Sequence, residues 1–215
     1  EIIEPLRDRI KAIVLQGAFT VAYAAAFYQK GGLLTLFARE NLDRSVAGWE
    51  IPVTWFLTIS TATFIIVTPL MARLWMGLAA RGIEPSPPQK LAWGLISIGV
   101  GYAVISSAAT GPGAAWWGWL VLPYIFFGIG DALVWPTQIS MVSRLAPGKA
   151  SALFVGGWYV TIGLGSWLTG YIGALGYTWG MSPVFVCLAA GSLALGLLLW
   201  SFSGKVQRLA HEFPA

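Results

Sequence analysis

The sequence predicts an all-α integral membrane protein, a bundle of six transmembrane helices, on three observations. Hydrophobic residues make up 57% of its 215 positions against 10% charged, and mean hydropathy is +0.71, well outside the range of soluble domains. Crossing a hydrocarbon layer of about 30 Å takes roughly 20 helical residues, and apolar runs of that length recur six times. The alternating pattern of a membrane barrel is absent from the sequence, so helices are the form in which each span satisfies its own backbone. Little chain remains for a soluble catalytic domain.

The first span is predicted from Ala12 to Phe37, following the basic residues Arg7, Arg9 and Lys11. The second runs from Ile51 to Leu78 and ends before the breaker GIEPSPPQK, Gly82 to Lys90, where proline and glycine punctuate the chain. The third, Leu91 to Ala109, closes at TGPG, Thr110 to Gly113. Trp116 to Leu145 forms the fourth, stopped by APGK, Ala146 to Lys149. The fifth, Ala150 to Leu175, meets YTWGMSP, Tyr177 to Pro183, and the sixth covers Pro183 to Phe202. Residues 206–215 are read as a polar tail, and the domain as residues 1–205.

Lysine and arginine collect in cytoplasmic loops, and their distribution orients the bundle. Arg7, Arg9, Lys11, Arg73, Arg81, Lys90, Arg144, Lys149, Lys205 and Arg208, ten of thirteen basic residues, fall on one side. The other side has only Arg39 and Arg44, beside Glu40, Asp43 and Glu50. Both termini are therefore expected in the cytoplasm, in a cytoplasmic or inner membrane, with Trp116, Trp117 and Trp119 as an outer aromatic belt. The net charge of +4 follows from this bias and does not call for a nucleic-acid partner. One cysteine, Cys187, and one histidine, His211, leave no intrachain disulfide and no Cys- or His-ligated centre to expect, so no metal or cofactor is predicted. The opening EIIEPLRDR, of mixed charge, is not expected to act as a secretory signal. No nucleophile, base and orienter set or phosphate loop stands out, which argues against an enzyme.

Lys30 and Asp131 are the ionisable residues deepest in the spans, where a charge is costly and marks a functional candidate. Asp131 serves either such a site or a structural hydrogen bond between helices. Five residues later, Pro136 lacks an N–H, freeing the carbonyl of Ala132, so a bend is expected there. A carboxylate beside a freed carbonyl suits an ammonium group or a proton. At 1.5 Å per residue Asp131 lies about 18 Å from Trp119, and Lys30 about 10 Å from Phe37. Lys30 thus either snorkels to outer water or reaches Asp131 with an extended arm. In the fifth span Gly157, Thr161, Gly165 and Thr169 recur every four residues, with Ser166, Gly170 and Ala174 as a second small-residue row, which predicts close helix packing. Trp158 faces either a cavity or lipid.

Five stretches resemble a known family. They are GGLLTLFARENLDR (Gly31 to Arg44), WEIPVTWF (Trp49 to Phe56), EPSPPQKLAWGL (Glu84 to Leu95), GIGDALVWPTQISMVSRLAP (Gly128 to Pro147) and GGWYVTIGLGSWLTG (Gly156 to Gly170). In this order and spacing the chain resembles the C-terminal six-helix half of proton-dependent oligopeptide transporters, within the major facilitator superfamily, from about Leu6 to Lys205. The resemblance implies half of a major facilitator fold and proton-coupled symport of small peptides. It implies that Asp131 stands where the family has an acidic residue, usually glutamate, that receives the peptide amino terminus. Trp158 and Trp55 match family tryptophans, the first of them in the cavity wall.

Other positions depart from the pattern. Phe27, Tyr28 and Gln29 stand where the family usually has Tyr-Glu-Gln, so Tyr28 replaces a glutamate tied to proton coupling. Ser60 and Thr61 replace asparagine and proline, and Lys30 adds a charge. The candidate substrate-binding set is Asp131, Trp158, Ser60, Tyr28, Lys30 and Trp55, with Asp131 also the proton-coupling candidate. Expected partners are a small peptide, a proton, the lipid bilayer and a second six-helix half or other membrane subunit, because rocking of two halves underlies alternating access. The competing expectation is a non-transporting anchor or scaffold derived from the same fold, with Asp131 and Lys30 buried in a protein contact.

Overall fold

The computed structural model describes residues 3–109, 115–146 and 151–209. Among the described residues, six helical segments are long and apolar enough to cross a membrane. The expected TGPG turn, Lys149 and His211 lie outside the described residues.

The first span is not one helix. Helix α1 (Ile3–Phe27) passes into a 3-10 turn (Tyr28–Lys30), and after Gly31 and Gly32 helix α2 (Leu33–Asn41) carries the span on past Phe37. Broken backbone inside a membrane protein survives only where other groups satisfy it, and they do so here. Tyr124 Oη donates to the Lys30 carbonyl at 2.9 Å and Thr35 Oγ1 to the same oxygen at 2.8 Å. The fully buried Gln29 side chain accepts from the Leu33 N–H at 3.4 Å and donates to the Thr169 carbonyl at 2.9 Å.

The remaining spans are α3 (Thr54–Ala79, with Pro69 inside it), α4 (Pro87–Ala108), α5 (Val121–Leu145), α6 (Ser151–Trp179) and α7 (Met181–Leu209). The GIEPSPPQK breaker starts α4 rather than only preceding it. Pro87 and Pro88 occupy its first turn, where no N–H is needed, and Gln89 Oε1 accepts from the Ser86 N–H at 2.8 Å. Helix α5 continues through Pro136 to Leu145. Helix α7 runs past the expected end at Phe202, so residues 206–209, read as tail, are helical. The reason is packing: Val206 is buried against Ala12 and Met141.

At the end of the bundle opposite the GIEPSPPQK connection, four two-residue strands among the described residues lace the loops. Strand β1 (Leu42–Asp43) pairs in parallel with β4 (Ala115–Trp116), and β2 (Ser45–Val46) pairs antiparallel with β3 (Trp49–Glu50). The β2–β3 turn places Ala47 at φ 51° and Gly48 at φ 83°, the left-handed pair that a tight hairpin requires. Arg44 fastens this loop, donating to the carbonyls of Ala38 at 3.1 Å and Ile51 at 2.6 Å and pairing with Glu50. The Ser45 backbone N–H, bonded to Asp43 Oδ1 at 3.0 Å, holds that exposed carboxyl below its usual range.

Helix α4 is the most buried, with α5 on one side and α7 on another. Helix α3 packs on α5, and α1 packs on α6 and α7. Tyr23, Tyr102, Tyr124, Phe127 and Phe185 fill the core, and Tyr102 Oη donates to the Ala26 carbonyl at 2.6 Å. Helices α3 and α6 instead show large apolar side chains on the outside, among them Ile65, Ile66 and Leu70 on α3 and Leu164, Trp167 and Tyr171 on α6.

Of the two small-residue rows on α6, the first makes the contact. A Cβ on Gly165 would lie 2.5 Å from both the Val21 carbonyl and the Ala24 methyl, and Thr169 Oγ1 donates to the Ala25 carbonyl at 3.4 Å. Gly157, at the end of that row, and Gly170, in the second, have nothing within 4 Å of such a Cβ. Gly165→Ala is therefore expected to cost about 1–3 kcal/mol by overpacking, while Gly170→Ala leaves stability unchanged. Thermal unfolding of the purified protein in one detergent distinguishes them.

Candidate functional site

On α1 and the turn after it, Gln16, Thr20, Tyr23, Phe27 and Lys30 recur at intervals of four and three, which puts them on one helical stripe. Asp131, Trp135 and Gln138 form a matching stripe on α5. The two stripes meet. Gln16 Nε2 donates to Gln138 Oε1 at 3.0 Å, both side chains fully buried, and Thr20 Oγ1 donates to the Gln16 carbonyl at 2.9 Å. Tyr23 Oη donates to Asp131 Oδ1 at 3.2 Å. Trp135, one turn along α5, lies against the same carboxylate.

Close helix approach makes this possible. Gly94 of α4 and Gly130 of α5 face each other, and a Cβ on Gly94 would lie 2.2 Å from Val134 and 3.4 Å from the Tyr23 ring. With no side chain at either position, α4 supports the turn of α5 that bears Asp131.

Lys30 reaches Asp131. Its Nζ lies 4.0 Å from Oδ2, donates to Ser60 Oγ of α3 at 3.3 Å, and sits 3.6 Å from the centre of the Phe27 ring. Of the two readings of Lys30, the structure takes the bridge to Asp131, and the reason lies in the first span. Because α2 continues to Asn41, Lys30 is eleven residues inside that end, about 16 Å at helical rise, level with the about 18 Å of Asp131. The 3-10 turn, held by Tyr124 and Thr35, then aims the lysine arm across the bundle.

The structure brings four of the six predicted binding residues into one neighbourhood and relates the other two to it differently. Lys30, Asp131 and Ser60 form the polar centre, Ser60 being 1% exposed. Tyr28 opens the 3-10 turn, edge-on to Phe27 at 5.5 Å, and packs on the apolar cluster of Trp158. Trp158 is 4% exposed and meets Trp135 edge to face at 5.2 Å, so it joins the centre through that ring. Its indole Nε1 is buried with no hydrogen-bond partner. Trp55 stands more than one turn before Ser60 at the start of α3, 58% exposed and ring to ring with Trp49 at 5.1 Å.

Sequence reasoning missed Tyr23, Trp135 and the Gln16–Gln138 pair. The four-and-three spacing from Gln16 to Lys30 carried that signal, since polar side chains on one stripe of a membrane helix face protein rather than lipid. Chemically, the centre offers a carboxylate, a tethered ammonium 4.0 Å away, a serine hydroxyl, and two tryptophans, one with a free donor. The Lys30 and Asp131 side chains keep 18% and 15% exposure, so the pair has an opening on the bundle surface.

Residues 3–181 match the family model PTR2, described as the POT family. Peptide transporter YePEPT of Yersinia enterocolitica subsp. palearctica serotype O:3 (strain YE-P4) is 30% identical over 177 residues, covering 78% of this chain and 34% of that protein. Dipeptide and tripeptide permease B of Photorhabdus luminescens is 26% identical over 161 residues, covering 72% of this chain and 33% of the relative. A mutant of the peptide transporter POT, crystallised with alafosfalin, superposes with a TM-score of 0.87 at 26% identity, over 95% of this chain and 42% of that one. An auto-inhibited POT family peptide transporter shares the fold, with a TM-score of 0.77 at 19% identity. The chain thus spans 33% to 44% of the length of these relatives. A multi-pass membrane bundle with this fold, matched by the family model over most of its length, this chain belongs to the POT family.

Proposed function

We propose that this chain is the C-terminal six-helix half of a proton-coupled carrier of small peptides, with a second six-helix half closing the site around Asp131, and that both ends of this half lie in the cytoplasm. The observation that carries the reading is the partly exposed Lys30–Asp131 pair, with Trp158 and its unpartnered indole N–H beside it, on a chain of the POT family. A charge pair at this depth that opens on the bundle surface suits a ligand better than a purely structural role. The peptide amino group would meet Asp131. Alternating access needs a second body to rock against, and the large exposed side chains of α3 and α6 offer surface for it.

The test is uptake of a labelled dipeptide into proteoliposomes under an inward proton gradient. The full-length protein containing this chain should accumulate the peptide, and the six helices alone should not. Uptake by the six helices alone would remove the need for a second half. A second reading, a scaffold that has lost transport, is favoured by Tyr28 standing where the family resemblance implies a glutamate, and by the carboxylate already having an internal partner. It predicts no uptake in either preparation and a stable complex with another membrane protein.

A further inference from the structure

We infer that Lys30 is a tethered occupant of the amine subsite at Asp131, and that it sets ligand preference by making every free ammonium compete with it. The inference rests on the peptide-carrier reading for the identity of the ligand, but not for the tether itself. Asp131 is the carboxylate to which an incoming ammonium would bind, and the Lys30 ammonium already stands 4.0 Å from it. Ser60 Oγ at 3.3 Å and the Phe27 ring face at 3.6 Å complete a cage of carboxylate, hydroxyl and aromatic face, the set that recognises an alkylammonium. The root of the arm is fixed, because the Lys30 carbonyl is held by both Tyr124 Oη and Thr35 Oγ1.

A tethered group competes at an effective concentration of about millimolar or higher. A ligand bearing a free amino group must therefore displace Lys30, whereas a ligand whose amino end is blocked, or whose charge is negative, faces a site with no net charge and a cation to meet. The consequence is a shift away from free-amine peptides toward amine-blocked or anionic ones. No part of this requires Asp131 to lose its role. It requires only that the two ammonium groups exclude each other.

The experiment uses the full-length protein in lipid nanodiscs, as wild type, Lys30→Ala, Lys30→Gln, and the Lys30→Ala/Asp131→Asn double variant. Thermal unfolding is followed by tryptophan fluorescence with propylammonium chloride, against sodium chloride and n-propanol at equal concentration. The tether predicts a rise in Tm with propylammonium in Lys30→Ala that is absent in wild type and in the double variant. Lys30→Gln, which keeps a hydrogen bond to Ser60 without the charge, gives the same sign if Lys30→Ala does not fold. Equal shifts in wild type and Lys30→Ala, or a shift retained without Asp131, overturn the inference. Binding of Ala-Ala and of N-acetyl-Ala-Ala follows by calorimetry. Removing Lys30 should raise affinity for the free-amine peptide by about tenfold, the size of a charge-assisted hydrogen bond gained, and leave the acetylated peptide unimproved. A propylammonium effect without binding of either peptide keeps the tether and removes the peptide-carrier reading. Wild type favouring Ala-Ala over its acetylated form by a similar factor removes the tether alone.

Discussion

Asp131→Asn in the full-length protein is expected to lower proton-driven peptide uptake by about thirtyfold or more, since removing one member of a desolvated, hydrogen-bonded charge pair from a binding site costs about 2–5 kcal/mol. Stability should move much less. Asparagine has the same shape, so the contact of Asp131 with Tyr23 Oη at 3.2 Å can persist through its remaining carbonyl oxygen. The pair itself, at 4.0 Å and with both side chains partly exposed, contributes about 1 kcal/mol or less. The freed Lys30 ammonium keeps Ser60 Oγ and the Phe27 ring. The measurement is uptake rate in proteoliposomes beside Tm and elution volume in detergent. Lost uptake with a normal Tm supports a ligand role for the carboxylate. Normal uptake removes the ligand role of Asp131 while keeping transport, and a variant that no longer assembles supports the scaffold reading.

The six spans were legible because a membrane leaves few alternatives: an apolar run of sufficient length must be a helix, and the breakers marked where each run stops. The interruption at Tyr28 to Gly32 was not read, although Gly31 and Gly32 stand at the break, because a glycine pair in a membrane helix is also ordinary packing material. Whether it breaks depends on side chains distant in sequence, Tyr124 and Thr169, which supply the missing partners. The same distance hid the site. Asp131 and Lys30 drew notice as isolated charges, but their meeting follows from the break and from the length of α2, neither of which a straight-helix depth estimate includes. Tyr23 and Trp135, typical membrane residues by type, gain a role only once α1 is known to lie beside α5. The small-residue rows of α6 show the converse. Both looked alike in sequence, and the neighbouring helix covers Gly165 and leaves Gly170 open.

Gly128→Val is expected to damage both stability and uptake, and it tests how the site is held together. Gly128 lies three residues before Asp131 on α5, at the point where α3 crosses. A Cβ there would lie 2.5 Å from the Ser60 carbonyl oxygen and 2.6 Å from Thr63 Cβ. The first obstacle is backbone, which cannot rotate away as a side-chain tip can, so α3 must move as a body. Overpacking of this kind costs about 1–3 kcal/mol, seen as a fall in Tm of several degrees. Because the obstructing carbonyl belongs to Ser60 itself, the displacement also carries Ser60 Oγ away from Lys30 Nζ, now 3.3 Å distant. Gly165→Ala, by contrast, separates α6 from α1 at Val21 and Ala24, away from that hydrogen bond, and should lower Tm with little change in uptake per folded molecule. If Gly128→Val reduces uptake per folded molecule no more than Gly165→Ala, the placement of Ser60 beside Lys30 is a consequence of helix packing with no part in binding. A larger loss for Gly128→Val, partly recovered in Lys30→Gln/Gly128→Val, where no ammonium needs the Ser60 hydroxyl, would tie α3 to the charge pair by a route that stability alone cannot mimic.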